Sequence, residues 1–172
     1  MPEKPRIYIE SAPFIDLVKS KVGVGTEANR ARAVFFVEQA LEAARAGDVE
    51  VFTSTLTIAE CTHVNDPLKL EAAKPFFMGL LGSGKMGIRL IQTTSSVVER
   101  ARDLRWFSGV ALGGADSVHV ASALHLRCDE LWTGDGKMLA QADVLLPLGL
   151  RVCKPSLSSC IPEKYLQSQF PL

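Results

Sequence analysis

Four acidic residues, far apart along the chain, have the chemistry for metal-assisted hydrolysis: Glu10, Glu60, Asp116 and Asp135. Carboxylate oxygens are the ligands that hard divalent cations such as Mg²⁺ and Mn²⁺ prefer. A few converging carboxylates can hold one or two such ions, activate a water molecule and neutralise charge on a phosphodiester. This chemistry requires a fold that brings the four positions together.

Predicted strands and helices alternate along the chain. Short runs of β-branched and other apolar residues predict five strands, at residues 6–9, 49–53, 88–92, 130–133 and 150–153. Between them, apolar spacing predicts helices, the longest from about Ala28 to Ala46 with Gly47 as its stop. This alternation predicts an α/β fold with a mostly parallel sheet of about five strands and helices on both sides.

Cap signals predict where several helices begin. Pro13 is predicted at the first position of the helix after the first strand, and Asp66-Pro67 as the cap and first residue of another. Ser96-Val97-Val98-Glu99 matches a capping box, and Gly113-Gly114 is predicted to open a helix rich in small residues. Two further helices are predicted at residues 55–63 and 137–142.

The predicted sheet places all four acids at one of its edges. In open parallel sheets, active sites lie beyond the carboxyl ends of the strands. Glu10 directly follows the first strand, and Asp135 follows the fourth after a single glycine. Glu60 lies on the helix after the second strand, and Asp116 lies in the first turn of the helix that two glycines open. The four carboxylates are therefore expected to form one site.

Each acid also has a purely structural interpretation. Thr57-Ile58-Ala59-Glu60 matches a capping box, in which Glu60 would reach back to a backbone amide. Asp116 would be a favourable charge in the first turn of its helix, and Asp135 would cap the helix that it precedes. Glu10 would be an exposed residue at a strand end. The residues alone leave these alternatives open.

The segments around the acids form a recognisable set. They are Ile7-Tyr8-Ile9-Glu10-Ser11, Ser54-(x)5-Glu60, Gly114-Ala115-Asp116-Ser117-Val118-His119-Val120-Ala121-Ser122-Ala123 and Trp132-Thr133-Gly134-Asp135. In type, order and spacing this set resembles the PIN domain, above all the ribonucleases of bacterial and archaeal toxin–antitoxin pairs. The resemblance runs from about Arg6 to Cys153, nearly the whole chain.

This resemblance implies a three-layer α/β/α fold and a Mg²⁺- or Mn²⁺-dependent endoribonuclease, the toxin of a toxin–antitoxin pair. RNA would be the substrate, and a cognate antitoxin and a second copy of the chain would be the protein partners. The metal-binding and catalytic acids would be Glu10, Glu60, Asp116 and Asp135. The supporting polar residues beside them would be Ser11, His119 and Thr133.

Glu10 departs from the family pattern, in which the first acid is almost always aspartate. Glutamate is one methylene longer, so its carboxylate can lie up to roughly 1.5 Å further out. Metal geometry tolerates less than this unless the backbone or a water compensates. The departure motivates an alternative of another class, a PIN-fold binding or regulatory protein that has lost catalysis. A phosphohydrolase acting on small phosphate esters is a further alternative.

Composition limits how nucleic acid could be held. Lys and Arg number 19, as do Asp and Glu, so the formal net charge is zero. Contacts to RNA must therefore be local, or be assisted by metal ions or a partner, rather than arise from overall charge. One local pattern fits, since Arg100, Arg102 and Arg105 flank Trp106-Phe107 and basic residues beside aromatics can hold single-stranded RNA. The commoner arrangement, which the sequence favours, turns such aromatics into the core.

The remaining sequence signals concern organisation and compartment. Residues 1–153 are predicted to form one PIN-like nuclease domain, and residues 154–172 an irregular C-terminal extension. The four cysteines show no metal-binding spacing and are predicted to be free thiols. With no apolar leader and no stretch of membrane-spanning length, the expectation is a soluble cytoplasmic protein.

Overall fold

A five-stranded parallel sheet forms the centre of the fold. The computed structural model describes residues 3–25, 27–82 and 84–167. The strands are β1 (Arg6–Ile9), β2 (Glu50–Ser54), β3 (Ile88–Ile91), β4 (Glu130–Trp132) and β5 (Arg151–Cys153). Their order is β3-β2-β1-β4-β5, and every pairing is parallel. The predicted sheet is confirmed, with each strand end within one residue of its predicted position.

Helices connect the strands and cover both faces of the sheet. They are α1 (Ser11–Lys21), α2 (Ala28–Ala46), α3 (Thr55–Glu60), α4 (Leu70–Gly82), α5 (Ser95–Phe107), α6 (Gly114–His125), α7 (Gly136–Leu139), α8 (Ala142–Leu145) and α9 (Glu163–Leu166). The long helix α2 has its predicted bounds, and Gly47 ends it with a left-handed φ of 79° that a side chain would strain. Asp66 caps the 3₁₀ turn Pro67–Lys69, as predicted.

Four predictions of helix bounds are wrong. The helix predicted over residues 55–63 ends at Glu60, because Cys61 leaves the helical conformation as its cap residue. α5 begins at Ser95 with Thr94 as its cap residue, because the Thr94 hydroxyl pairs with the Ser96 hydroxyl and the predicted box does not form. Pro13 is the third residue of α1 rather than the first, since Glu10 caps this helix. The single helix predicted over residues 137–142 is replaced by the two short helices α7 and α8.

Alternate strand residues pack into two separate cores, as the pleat of a strand requires. One core joins the sheet to α1, α2 and α4, and its strand residues include Ile7, Ile9, Val51 and Trp132. The other joins the sheet to α5 and α6, and its strand residues are Tyr8, Phe52, Leu131 and Val152. The sheet is thus buried on both faces, which gives the three-layer α/β/α architecture that was predicted.

The sheet changes direction between β1 and β4. From β1 the chain adds β2 and β3 on one side, whereas β4 and β5 lie on the other. A crevice forms at such a switch point, beyond the carboxyl ends of the two strands. Ile9 is in register with Trp132, and the Glu10 amide donates to the Trp132 carbonyl at 3.3 Å. Glu10 and Thr133 therefore leave the sheet side by side.

The segment after β5 packs back against the body of the protein. It contains the 3₁₀ turn Pro155–Leu157 and helix α9, and it places Ile161 in the core beside α2. Tyr165 Oη donates to the Asp48 carboxylate at 2.6 Å, next to the amino end of β2. Residues 168–172 of the predicted extension lie outside the described residues.

The cysteines are free thiols, as predicted. Cys61, Cys128 and Cys153 are buried, and burial raises the pKa of each thiol to about 12. The thiolate is the reactive form, so these three side chains act as inert core residues. Across the ranges that the structure describes, no helix is long and apolar enough to cross a membrane.

Candidate active site

Glu10 is buried where β1 ends, with 5% of its surface exposed. Its Oε2 accepts hydrogen bonds from the Ser11 hydroxyl (3.0 Å) and the Ala12 amide (2.9 Å), and its Oε1 accepts one from Thr133 Oγ1 (3.1 Å). Burial raises the pKa of this carboxyl, and the Ala12 amide opposes the rise. The interpretation of Glu10 as an exposed strand-end residue is wrong, because its carboxylate caps α1 and ties β1 to β4.

Thr133 links Glu10 to Asp135. Its hydroxyl donates to Glu10 and accepts a hydrogen bond from the Asp135 amide at 2.9 Å. Asp135 caps α7, as its structural interpretation predicted, through Oδ1, which accepts from the amides of Lys137 (2.6 Å) and Met138 (3.2 Å). Its Oδ2 accepts no hydrogen bond from the described part of the chain, and the side chain is exposed. Asp135 therefore caps a helix with one oxygen and offers the other to a ligand.

Glu60 is held by a buried histidine from another helix. His119 Nε2 lies 2.7 Å from Glu60 Oε2, and His119 Nδ1 lies 2.8 Å from Tyr8 Oη. Burial alone would raise the pKa of Glu60, but its hydrogen bond with His119 and the charge of His119 outweigh burial and lower the pKa. The capping-box interpretation is wrong, because Thr57 is already inside α3 and its hydroxyl pairs with Thr53 at 2.7 Å.

Asp116 lies in the first turn of α6, as predicted, and is half-buried. Burial raises the pKa of its carboxyl, and the negative charges of Asp135 and Glu60 raise it further. Within the described ranges no side chain or amide donates a hydrogen bond to Asp116. The fold therefore brings these three carboxylates within electrostatic range of one another, and at Asp116 the charges of His119 and Lys137 offset the repulsion only in part.

Among the described residues, both oxygens of Asp116 and Oδ2 of Asp135 accept no hydrogen bond. Both oxygens of Glu10 accept hydrogen bonds, and Glu60 interacts with His119 and with the Ser11 hydroxyl. Among residues 3–25, 27–82 and 84–167, no group of three acids, histidines or cysteines is arranged to hold an ion by itself. Mg²⁺ is often held by only one or two carboxylates and keeps several waters. The donor set fits such a hydrated ion at Asp116 and Asp135.

A cleft of about 340 Å³ opens beside Asp135. The turn after β4 forms one wall, Arg30 reaches it from α2, and Lys154 reaches it from the end of β5. Arg30 pairs with Asp16 at 3.2 Å, while Lys154 is exposed and forms no ion pair with any described residue. Neither cation was predicted from the sequence. Only the position of Lys154 could have been predicted from the sequence, because Lys154 directly follows a strand and so lies at the carboxyl edge of the sheet, beside the acids.

Fold and site together define a three-layer α/β protein with an acidic crevice at the switch point of its sheet. The family model of the PIN domain matches residues 24–145. The chain belongs to the PIN domain family, whose members are generally metal-dependent nucleases, and a nuclease-type function follows in general terms. Comparisons with curated proteins and with solved structures gave no match.

The carboxyl of Asp116 is expected to titrate above the ordinary range of aspartate in the metal-free protein. Burial and the charge of Asp135 disfavour its ionised form, so it takes up a proton at a higher pH than a solvated aspartate would. Cation affinity should then fall as the pH drops through this raised pKa, because the neutral carboxyl is a poor ligand. Carbon-13 NMR of the aspartate carboxyls measures the titration directly.

Two substitutions separate the causes of this shift. Asp135→Asn should lower the pKa of Asp116 clearly, whereas Glu60→Gln should lower it less, because Asp135 contributes more to the shift than Glu60 does. An Asp116 that titrates at or below the ordinary range in the wild-type chain would show that the carboxylates do not converge.

Proposed function

We propose that this protein is a Mg²⁺- or Mn²⁺-dependent endoribonuclease that hydrolyses RNA phosphodiester bonds at the acidic crevice. The observation that carries the proposal is geometric: Asp116, Asp135 and Glu60 lie within electrostatic range of one another at the switch point of the sheet. Both oxygens of Asp116 and Oδ2 of Asp135 accept no hydrogen bond from the described residues. Carboxylates held close together, with a repulsion that nearby cations offset only in part, are typical of functional sites. A divalent cation would relieve their repulsion.

Each acid has a distinct role in this proposal. Asp116 and Asp135 would hold the ion, Asp135 through its free Oδ2. A bound ion would supply a nucleophilic water and neutralise charge on the phosphate, so no covalent intermediate with the protein is needed. Glu60, kept ionised by His119, would add negative charge beside the ion. Glu10 would position the site by fixing Thr133, whose hydroxyl in turn fixes the Asp135 amide.

Cleavage of single-stranded RNA by the purified chain tests the proposal. Internal cuts are expected with Mg²⁺ or Mn²⁺ and should disappear when EDTA removes the ion. Chromogenic phosphomonoesters assayed in parallel distinguish a nuclease from a phosphohydrolase of small esters. Absence of cleavage with either ion, or cleavage that persists in EDTA, would contradict the proposed function.

One observation favours a second candidate, a PIN-fold binding or regulatory protein without catalysis. Three hydrogen bonds occupy both oxygens of Glu10, which leaves one fewer acid for an ion than the family pattern implies. The same assay separates the two candidates. RNA that binds but stays intact in Mn²⁺ would support the second.

The proposed biological role is the toxin of a toxin–antitoxin pair acting in the cytoplasm, with a cognate antitoxin and a second copy of the chain as partners. This role rests on the sequence resemblance alone. An adjoining reading frame whose product binds the chain and inhibits cleavage would support it. Size-exclusion chromatography with light scattering tests the homodimer.

Reversing the charge of Lys154 is expected to weaken RNA binding about three- to tenfold at roughly 0.1 M salt, as for the loss of one phosphate contact. Lys154 borders the cleft beside Asp135 and forms no ion pair within the described chain. KM should rise for Lys154→Glu while Mn²⁺ affinity stays unchanged, and the difference should shrink as salt screens the charge.

Lys4→Glu is the matched control for this substitution. Lys4 is also an exposed lysine, but it precedes β1 and lies at the opposite, amino edge of the sheet. Equal effects of the two substitutions would mean that only net charge matters and that the cleft does not hold RNA.

A further inference from the structure

Two large aromatic side chains are exposed together at the carboxyl end of α5. Trp106 is 64% exposed and Phe107 is 79% exposed, so the expectation that they turn into the core is wrong. Their rings meet edge to face, with centroids 6.1 Å apart. Adjacent exposed aromatics, unlike single scattered apolar residues, mark a surface that binds something.

An arginine extends this surface. The Arg102 guanidinium lies 4.9 Å from the centroid of the Trp106 ring, one helical turn away on the same helix face. Arg102 also pairs with Asp103 at 2.8 Å, which holds the guanidinium in place. Arg102, Trp106 and Phe107 together are called the aromatic patch below. It combines two aromatic rings with one cation.

The aromatic patch lies at the end of the molecule that carries Asp116. Arg105, next to the patch, donates from Nη1 to the Leu112 carbonyl at 3.0 Å. The same Nη1 lies 3.7 Å from where a Cβ on Gly113 would be. Gly113 is the cap residue of α6, and Asp116 follows it by less than one helical turn. A strand bound across Asp116 therefore has the patch within reach.

We propose that the aromatic patch is a base-stacking platform for single-stranded RNA at the mouth of the acidic crevice. That the ligand is RNA rests on the proposed function. The platform adds a second place, apart from the acids, at which the RNA is held. Nucleobases stack on exposed aromatic rings, and arginine adds cation–π and phosphate contacts. Stacking also supplies affinity that a chain of zero net charge cannot obtain from long-range attraction.

The chemistry of the patch fits RNA better than it fits a protein partner. A stable protein interface buries about 800 Å² on each partner around an apolar centre. Here the exposed large apolar side chains at the carboxyl end of α5 are Trp106 and Phe107, and charged Arg102 and Asp103 lie beside them on the same helix. An aromatic surface of this size with a cationic border matches one or two bases and their phosphates.

Tryptophan fluorescence of the full chain tests the platform directly. The second tryptophan, Trp132, is fully buried, so quenching by added RNA reports on Trp106. The probe is an unlabelled oligoadenylate of about ten nucleotides, and the titration is done in EDTA so that no cleavage occurs. A fluorescently labelled copy of the same oligonucleotide gives the binding affinity by anisotropy. Trp106→Ala should weaken binding about tenfold, within a range of about five- to a hundredfold. Trp106→Phe should keep most of the affinity.

Met78→Ala is the matched control, since Met78 is an apolar side chain on α4 with 73% exposure. It should bind the oligoadenylate as the wild type does, and all three variants should keep the wild-type melting temperature. Unchanged affinity in Trp106→Ala, or RNA binding without quenching, would overturn the platform. So would a Trp106→Ala chain that loses self-association but keeps RNA affinity, because the patch would then be a protein interface.

The platform and the proposed function can fail separately. Binding is measured without metal, so a chain that binds oligoadenylate through Trp106 but never cleaves RNA contradicts only the nuclease proposal. A chain that cleaves RNA in Mn²⁺ with the same KM before and after Trp106→Ala contradicts only the platform.

Discussion

Asp116→Asn is expected to lower metal-dependent RNA cleavage by about a thousandfold while the fold stays intact. The substitution keeps the size of the side chain but removes a charged ligand from the proposed ion, and losses of this order follow removal of a key electrostatic group. Asp116 accepts no hydrogen bond within the described residues, so the folded chain loses no internal contact. Single-turnover cleavage at saturating Mn²⁺ measures the loss.

The same substitution should make the metal-free protein slightly more stable. The raised pKa of Asp116 means that the fold favours the neutral form of this carboxyl, so its ionised form costs stability at neutral pH. A neutral amide removes this cost, and a rise of about 1–2 °C in Tm is expected for a relief of roughly 0.5 kcal/mol. Such a trade of stability for activity is typical of functional sites.

Asp143→Asn is the control for both effects. Asp143 is likewise an acid in the first turn of a helix, α8, but it is exposed, so its substitution should change neither cleavage nor stability. An Asp116→Asn chain that cleaves within tenfold of the wild type would contradict the proposed role. A marked fall in its Tm would instead show that Asp116 has a structural role.

Glu130→Ala is expected to destabilise the protein by roughly 2–4 kcal/mol, because it removes the acceptor of five hydrogen bonds, one of them from the buried Trp132 indole. Glu130, the first residue of β4, is 1% exposed. Its carboxylate accepts hydrogen bonds from Trp132 Nε1 (2.8 Å), Arg151 Nη1 (2.6 Å), Ser158 Oγ (2.6 Å), and the Ser159 amide (2.9 Å) and hydroxyl (3.0 Å). One buried carboxylate thus fastens the segment after β5 to the sheet.

Urea unfolding at several pH values measures this contribution. Burial raises the pKa of Glu130, but the hydrogen bonds from Ser158 and Ser159 outweigh it and the pKa is lowered. A lowered pKa contributes stability above the ordinary pKa of glutamate, and that contribution is lost as the pH falls through the lowered value. The difference in the free energy of unfolding between the wild type and Glu130→Ala should therefore become smaller at acid pH.

Cleavage per folded molecule should survive Glu130→Ala, since Glu130 lies at the amino edge of the sheet and the acids lie at the carboxyl edge. Glu163→Ala is the control. Glu163 is an exposed acid in the first turn of α9, so this substitution should lower the stability of the fold only slightly. A Glu130→Ala chain within about 0.5 kcal/mol of wild type would show that the buried carboxylate is not a fastening point.

The sheet and the positions of the acids follow from local sequence signals. Short apolar runs bounded by polar segments predict strands. Strands that alternate with helices form a parallel sheet that helices cover on both faces. Glu10 directly follows the first predicted strand and Asp135 follows the fourth after one glycine, so the strands alone place both at the carboxyl edge. A chemically plausible acidic site was therefore predictable before any side-chain contact was known.

The contacts that decide the role of each acid were not predictable, because they join distant parts of the chain. Glu60 matched a local capping box, yet it bonds His119, which is 59 positions away. The partner of His119 on its other side is Tyr8, which is 111 positions away. A local motif identifies only the hydrogen-bond partners that lie nearby in sequence. Glu60 instead bonds a partner that is distant in sequence. The exposure of Trp106 likewise depends on how α5 packs, which the residues around it do not determine.

The central claim is that Asp116 and Asp135 form a divalent cation site at the switch point of the sheet. Isothermal titration calorimetry of the metal-free full chain with Mn²⁺ tests it most directly. We expect a single saturable site at neutral pH that is lost in Asp116→Asn and in Asp135→Asn but retained in Asp143→Asn. A wild-type chain that binds no Mn²⁺ at millimolar concentrations, or equal affinity in the wild type and the two site variants, would contradict the claim.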